Sequence, residues 1–132
     1  MASNETNLAS EFYVISILHR IGVSAALTLG NKKSVDIIVA KGQGEAITID
    51  VKGASGNTGF FVNNQMSGKN NHFVIFVSFH GKFSDVSLMP EVHVVPSCEI
   101  RGIAKSYPSG KNVVHLTDLR KLKKYKDAWH LI

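Results

Sequence analysis

Two runs of β-branched and apolar residues constrain this chain most. They are residues 35–40 (VDIIVA) and 46–52 (AITIDVK), with Gly42-Gln43-Gly44 between them. Strand-forming runs joined by a glycine-bearing loop read as a β-hairpin. Side chains alternate along a strand. In the second run Ile47, Ile49 and Val51 therefore face one way, and Ala46, Thr48, Asp50 and Lys52 the other. Asp36 breaks the first apolar run and shares a face with Ile38 and Ala40. Hairpin pairing could bring it beside Asp50. The competing reading of Asp50 and Lys52 is a solvated charge pair on an exposed sheet face, which contributes little.

The rest of the chain fits an α/β domain with one central mixed sheet flanked by helices. Residues 4–21 read as a helix, with Ser3 or Asn4 as cap and Gly22 as stop. Residues 25–29 read as a short strand ending at the turn signal Gly30-Asn31, and 53–59 as a loop of small residues. The polar stretch through Lys69-Asn70-Asn71 has room for a short helix. Residues 73–79 form an apolar run of strand length, expected to be buried on both faces. Further strands are expected at 91–95, ended by Pro96, and at 113–116. A helix at 97–105 would be capped by Ser97, and a last helix toward Tyr125 by Thr117 or Asp118. Residues 107–110 read as a turn. No linker or repeat divides the 132 residues, so a single domain spanning 1–132 is expected.

Hydrophobic residues are 44% of the chain and charged residues 19%, a globular composition. No apolar run is long enough to span a bilayer, and residues 1–7 lack a hydrophobic signal core, so a cytoplasmic protein without membrane attachment is expected. Cys98 is the only cysteine, which excludes an internal disulfide and a cysteine-based zinc site within one chain. None of the six histidines has the spacing of a ligand pair on one helix turn. The net charge of +5 favours polyanionic partners. Much of the excess lies in Arg120, Lys121, Lys123, Lys124 and Lys126, which reads either as a phosphate-contacting patch or as a solvated helix face.

On a helical wheel at about 100° per residue, Leu8, Phe12, Val14, Ile15, Leu18 and Ile21 gather on one side. Glu11 lies near the middle of that side. A carboxylate aimed at a core costs several kcal/mol unless it is paired, protonated or bound to a metal. Carboxylates crowded together repel and raise a pKa unless a cation is present. Mg²⁺ or Mn²⁺ meets that need with oxygen ligands. A lysine beside the same ion can stabilise a developing phosphate charge. Metal, activated water and lysine are the parts of phosphodiester hydrolysis.

Asp36, then a hairpin, then Asp50-Val51-Lys52 resembles the PD-(D/E)XK nuclease superfamily, whose fold is restriction-endonuclease-like, with Glu11 resembling its first-helix glutamate. More narrowly, residues 8–14, 26–31, 35–39 and 49–52 resemble a group of small bacterial proteins related to Holliday-junction resolvases. Residues 90–97 and 127–129 extend the likeness weakly. The proline of the motif name is absent, Val35 standing before Asp36. The resemblance implies Glu11, Asp36, Asp50 and the Val51 carbonyl as metal ligands, and Lys52 as the catalytic lysine. It implies a Mg²⁺- or Mn²⁺-dependent endonuclease acting on duplex or branched DNA, possible as a homodimer. A non-catalytic nucleic-acid-binding module on the same fold is the alternative, and an RNA-directed enzyme a third. Asn57, Thr58, Gln65, Lys69, Lys121 and Lys124 are weaker candidates for nucleic-acid contact. The run Leu119, Leu122 and Tyr125, and Trp129, are expected in the core.

Overall fold

A computed structural model describes residues 4–28, 35–66 and 68–132. Helix α1 (Asn4–Arg20) leads into strands β1 (Ala25–Leu27), β2 (Ile37–Ala40) and β3 (Ala46–Ala54). Then come β4 (Gly59–Phe61), β5 (His72–Ser78), β6 (Glu91–Pro96), α2 (Ile100–Ile103), β7 (Lys105–Ser106), β8 (Asn112–His115) and α3 (Leu116–Leu122). Five strands form a mixed sheet in the order β1-β2-β3-β5-β6, and three form a small sheet in the order β4-β8-β7. The expected α/β class with a central mixed sheet is the observed one. Ser3, Leu29 and the Gly30-Asn31 turn lie outside the described residues.

The hairpin forms as its sequence requires, with Ile37 opposite Ile49 and Ala40 opposite Ala46. The turn between them is tight, and Gln43 takes a left-handed φ of 63°. Strand β3 runs two residues further than expected. It pairs in parallel with β5 all the way to Ala54 opposite Ser78. A parallel neighbour supplies ladder partners even where side chains are small, so Gly53 and Ala54 are strand and not loop. Strand β5 is buried on both faces, as its unbroken apolar run implies. A short helical segment falls at Asn63–Gln65, within the polar stretch that leads through 69–71, and the helix expected at 97–105 appears as a helical turn at Ser97–Glu99 followed by α2, ending at Ile103. Pro96, not a Ser97 hydroxyl, precedes that turn, and no side chain caps it. Helix α3 starts earlier than a Thr117 or Asp118 cap allows, directly after His115, and Leu116 is buried in the core.

Each face of the central sheet has its own core. Val14 and Leu18 of α1 pack on Ile37, Ile49, Val51, Ile75 and Val94, with Trp129 at the margin. On the other face Phe60, Val74, Phe76, Ile100, Val114, Leu119 and Tyr125 pack together beneath the small sheet and α3. Leu122 is exposed and leaves the expected helix stripe. On this face Ile38 and Ala40 of β2 and Ala46 at the start of β3 remain exposed.

Helix α1 turns a different face inward from the one its apolar residues predict. The buried stripe is Thr6, Ser10, Val14 and Leu18, with Glu11 on its shoulder. Leu8, Phe12 and Ile21 stay about half exposed, at 47%, 58% and 50%. The cause is the contact with β3. At Gly53 the strand has no side chain, and a Cβ there would lie 2.0 Å from Ser10 Oγ and 3.1 Å from the Thr6 carbonyl oxygen. The helix therefore seats small residues against the strand backbone. The Ser10 hydroxyl donates to the Thr6 carbonyl at 2.7 Å, so burying it costs little.

Candidate active site

The regular ladder of the hairpin ends at Ile37 opposite Ile49. The Asp36 N–H donates to the Ile49 carbonyl at 3.0 Å, so the register slips by one residue there and does not continue toward Asp50. One residue beyond Asp50, the Val51 N–H donates to Asp36 Oδ2 at 2.8 Å. A side chain has taken the place of a backbone acceptor. In a strand, N–H and C=O of one residue point to the same edge. The Val51 carbonyl therefore faces the same opening as Asp36, where β2 no longer supplies a partner.

Asp50 lies on the other face of β3 from Ile49 and Val51, together with Thr48 and Lys52. It is held by two residues that the crossover from β3 to β5 brings over it. His72 Nε2 stands 3.1 Å from Asp50 Oδ2, and Gln65 Nε2 donates to the same oxygen at 3.4 Å. A carboxylate only accepts, so His72 donates from Nε2. Its Nδ1 lies 2.6 Å from the Thr48 hydroxyl, which fixes the ring on its other side. Among the described residues all hydrogen bonds to Asp50 fall on Oδ2, which leaves Oδ1 to the opening. Burial pushes the Asp50 carboxyl up, but hydrogen bonds and charge from His72, the Gln65 amide and the Lys52 charge outweigh it. Its pKa lies below the ordinary 3.8.

Gln65 is buried, and its Oε1 has no hydrogen-bond partner. An unsatisfied buried oxygen costs about 1–3 kcal/mol, so a donor belongs at this position. This corrects the expectation that Gln65 meets nucleic acid at the surface: its amide is spent on Asp50. Glu11 is also buried, as its wheel position implies, on the flank of α1 that packs on β3. That helix covers the Ile49–Val51 face, whereas Asp50 and Lys52 project from the other. Glu11 therefore approaches the opening from the opposite side of the sheet from Asp50. Among the described residues no three His, Cys, Asp or Glu side chains already close into a metal-holding group.

The remaining candidates are scattered. Thr58 lines a cleft that begins at Lys52, and Asn57 is exposed beside it. Lys69 is exposed. Lys121 and Lys124 are exposed, and Lys124 lies 3.4 Å from Glu99 and over the Tyr125 ring. Neighbouring Arg120 is committed to the buried Glu91, with 2.7 and 2.9 Å contacts from two of its nitrogens. The basic run is therefore divided between structural pairing and solvent.

His72 carries no local signal, because it merely opens an apolar strand. Only the parallel register that sets it against Thr48 makes it a partner of Asp50. Among the described residues no helix is long and apolar enough to cross a membrane. No protein-family model and no curated protein sequence matches the chain. Among solved structures, a bacterial homing endonuclease, I-Ssp6803I, is similar with a TM-score of 0.59 at 18% identity, over 99% of this chain and 91% of that one. The likeness is one of fold: this α/β architecture, with a mixed five-stranded sheet and its flanking helices, is nuclease-like.

Proposed function

We propose that the chain is a metal-dependent endonuclease of PD-(D/E)XK type acting on DNA. The observation that supports this best is the opening of the hairpin at Asp36. There the Asp36 carboxylate holds the N–H of Val51, the residue between Asp50 and Lys52. The donors are hard oxygens, which suit Mg²⁺ or Mn²⁺. The unpaired Gln65 Oε1 fits as well, because a water held at Asp50 would donate to it. Asp36, Asp50 and the Val51 carbonyl would hold the ion, with Glu11 reaching it from the α1 side.

Bound there, such an ion would lower the pKa of a coordinated water and polarise a phosphate oxygen. The chain's own groups do the rest. Val51 N–H fixes Asp36, and His72 and Gln65 fix Asp50, so neither carboxylate has to reorganise when substrate arrives. Lys52, two residues along the same strand face, stabilises charge building on the phosphate. A nick in duplex DNA needs one such centre and a double-strand break two, which would make a homodimer the cutting unit.

The test is cleavage of supercoiled, linear and branched DNA with Mg²⁺ or Mn²⁺, paired with Mn²⁺ binding followed by electron paramagnetic resonance. Lys52→Ala should cut about 10²–10⁴-fold more slowly and still bind Mn²⁺. Asp50→Asn should lose both. Wild type that neither binds Mn²⁺ nor cuts any DNA form would end the proposal. A non-catalytic nucleic-acid-binding module is the second reading. It is favoured by the lack, among the described residues, of a closed three-ligand group. DNA binding that weakens with salt, without hydrolysis, would support it.

A further inference from the structure

Lys52, Gly53, Ser55, Gly56, Phe61 and His115 line one cleft of about 390 Å³. Part of its wall is the outer face of the small sheet. Alternation along β4 sends Phe60 inward, where it packs on Phe76 at 4.9 Å between ring centroids. Phe61 is sent outward and is 49% exposed. Gly59 and His115 are paired across β4 and β8 on that outer face. With no side chain at 59, the floor between Lys52 and Phe61 stays low. A Cβ there would sit 2.9 Å from Val113 Cγ1 and 3.5 Å from His115 Nδ1.

The chemistry of the walls is specific. No carboxylate lines the cleft. Positive charge accompanies it: Lys52 lines the cleft, and Lys111 stands over Phe61 with Nζ 5.1 Å from the ring centre. The His115 ring is anchored by Tyr107, whose hydroxyl is 2.7 Å from Nε2. An exposed aromatic flanked by cations, joined by a backbone-lined channel to a lysine, has the parts list of a single-strand groove: stacking for the base and ammonium groups for the phosphates. A paired base has both faces stacked already and cannot use Phe61.

We propose that this cleft is a nucleotide subsite. A DNA strand with a phosphate at Lys52 would lay an unpaired base on Phe61, with the next phosphate toward Lys111. This rests on the reading of the chain as a DNA-acting protein, and it names the substrate class as DNA with an unpaired or branched segment.

The test is fluorescence anisotropy of the full chain, without metal and with chelator, on a single-stranded DNA oligonucleotide, the same sequence as duplex, and the same sequence as RNA. Phe61→Ala should weaken single-strand binding about tenfold and duplex binding about twofold or less. Phe61→Tyr should restore it, and an unchanged melting temperature would show that the fold is intact. Equal loss on single strand and duplex, or no loss on either, overturns the proposal. So does RNA binding as tightly as DNA, or a wild-type dimer that Phe61→Ala dissociates, which would make the face a self-contact. Mn²⁺ binding should be unaffected in Phe61→Ala. Failure of the metal centre with Phe61-dependent binding intact would sink the nuclease reading alone; the reverse pattern would sink the subsite alone.

Discussion

Replacing Gly53 with alanine tests how closely the fold seats α1, and with it Glu11, on β3. The added Cβ would lie 2.0 Å from Ser10 Oγ, 2.9 Å from Ser10 Cβ and 3.1 Å from the Thr6 carbonyl oxygen. Non-bonded carbon contacts are comfortable at about 3.5–4.0 Å. Rotating the Ser10 hydroxyl away relieves the closest approach but leaves the Cβ contact, and it breaks the bond to Thr6, worth about 1 kcal/mol. Otherwise α1 must back away from β3 and loosen Val14 and Leu18, which are fully buried. Overpacking of this kind costs about 1–3 kcal/mol, so the sum is roughly 2–4 kcal/mol. Urea unfolding reads it directly, as a midpoint lowered by about 1–2 M for ordinary slopes. Ser10→Gly costs about 1 kcal/mol by itself through helix propensity. In the Gly53→Ala background it should nonetheless recover about 1–2 kcal/mol, because it removes both clashing atoms. A Gly53→Ala chain within about 0.5 kcal/mol of wild type, or a cycle with no coupling, would refute the close seating of α1 on β3.

Other perturbations follow from the same geometry. His72→Ala removes the donor that fixes Asp50 Oδ2, and Mn²⁺ affinity should fall about 10–100-fold, as for other residues that orient a metal ligand; unchanged affinity would remove His72 from the site. Arg120→Ala strips the partner from buried Glu91. With the guanidinium about half in water, the cost should sit near the low end of the roughly 1.5–3 kcal/mol of a charged hydrogen bond. Its pH dependence has a definite sign. The Arg120 hydrogen bonds hold Glu91 below its ordinary 4.5, so the stabilisation is full above that value and is lost as pH falls through the lowered one. The gap between wild type and variant in chemical denaturation should therefore close on acidification below about pH 4.5; a gap that widens there would contradict the pairing.

The local sequence determined the hairpin, its parity and the D-x-K face. A period of two leaves Asp50 and Lys52 no option but to share a side once Ile47, Ile49 and Val51 are buried. Complementary strands then fix the register as far as Ile37 opposite Ile49, next to which Asp36 reaches the Val51 N–H. The burial of Glu11 was also legible from its wheel position. The face that α1 turns inward was not, because it depends on a glycine more than thirty positions away. Leu8 and Phe12 lose to Thr6 and Ser10 where backbone approach, and not hydrophobicity, sets the fit. His72 and Gln65 reach Asp50 only through the parallel crossover, and Phe61 joins Lys52 only because β4 pairs with β8 in a separate sheet. These are contacts between distant segments, and periodicity carries no information about them. The chain alone thus specified which side chains share a strand, and the tertiary structure decided which of them share a site.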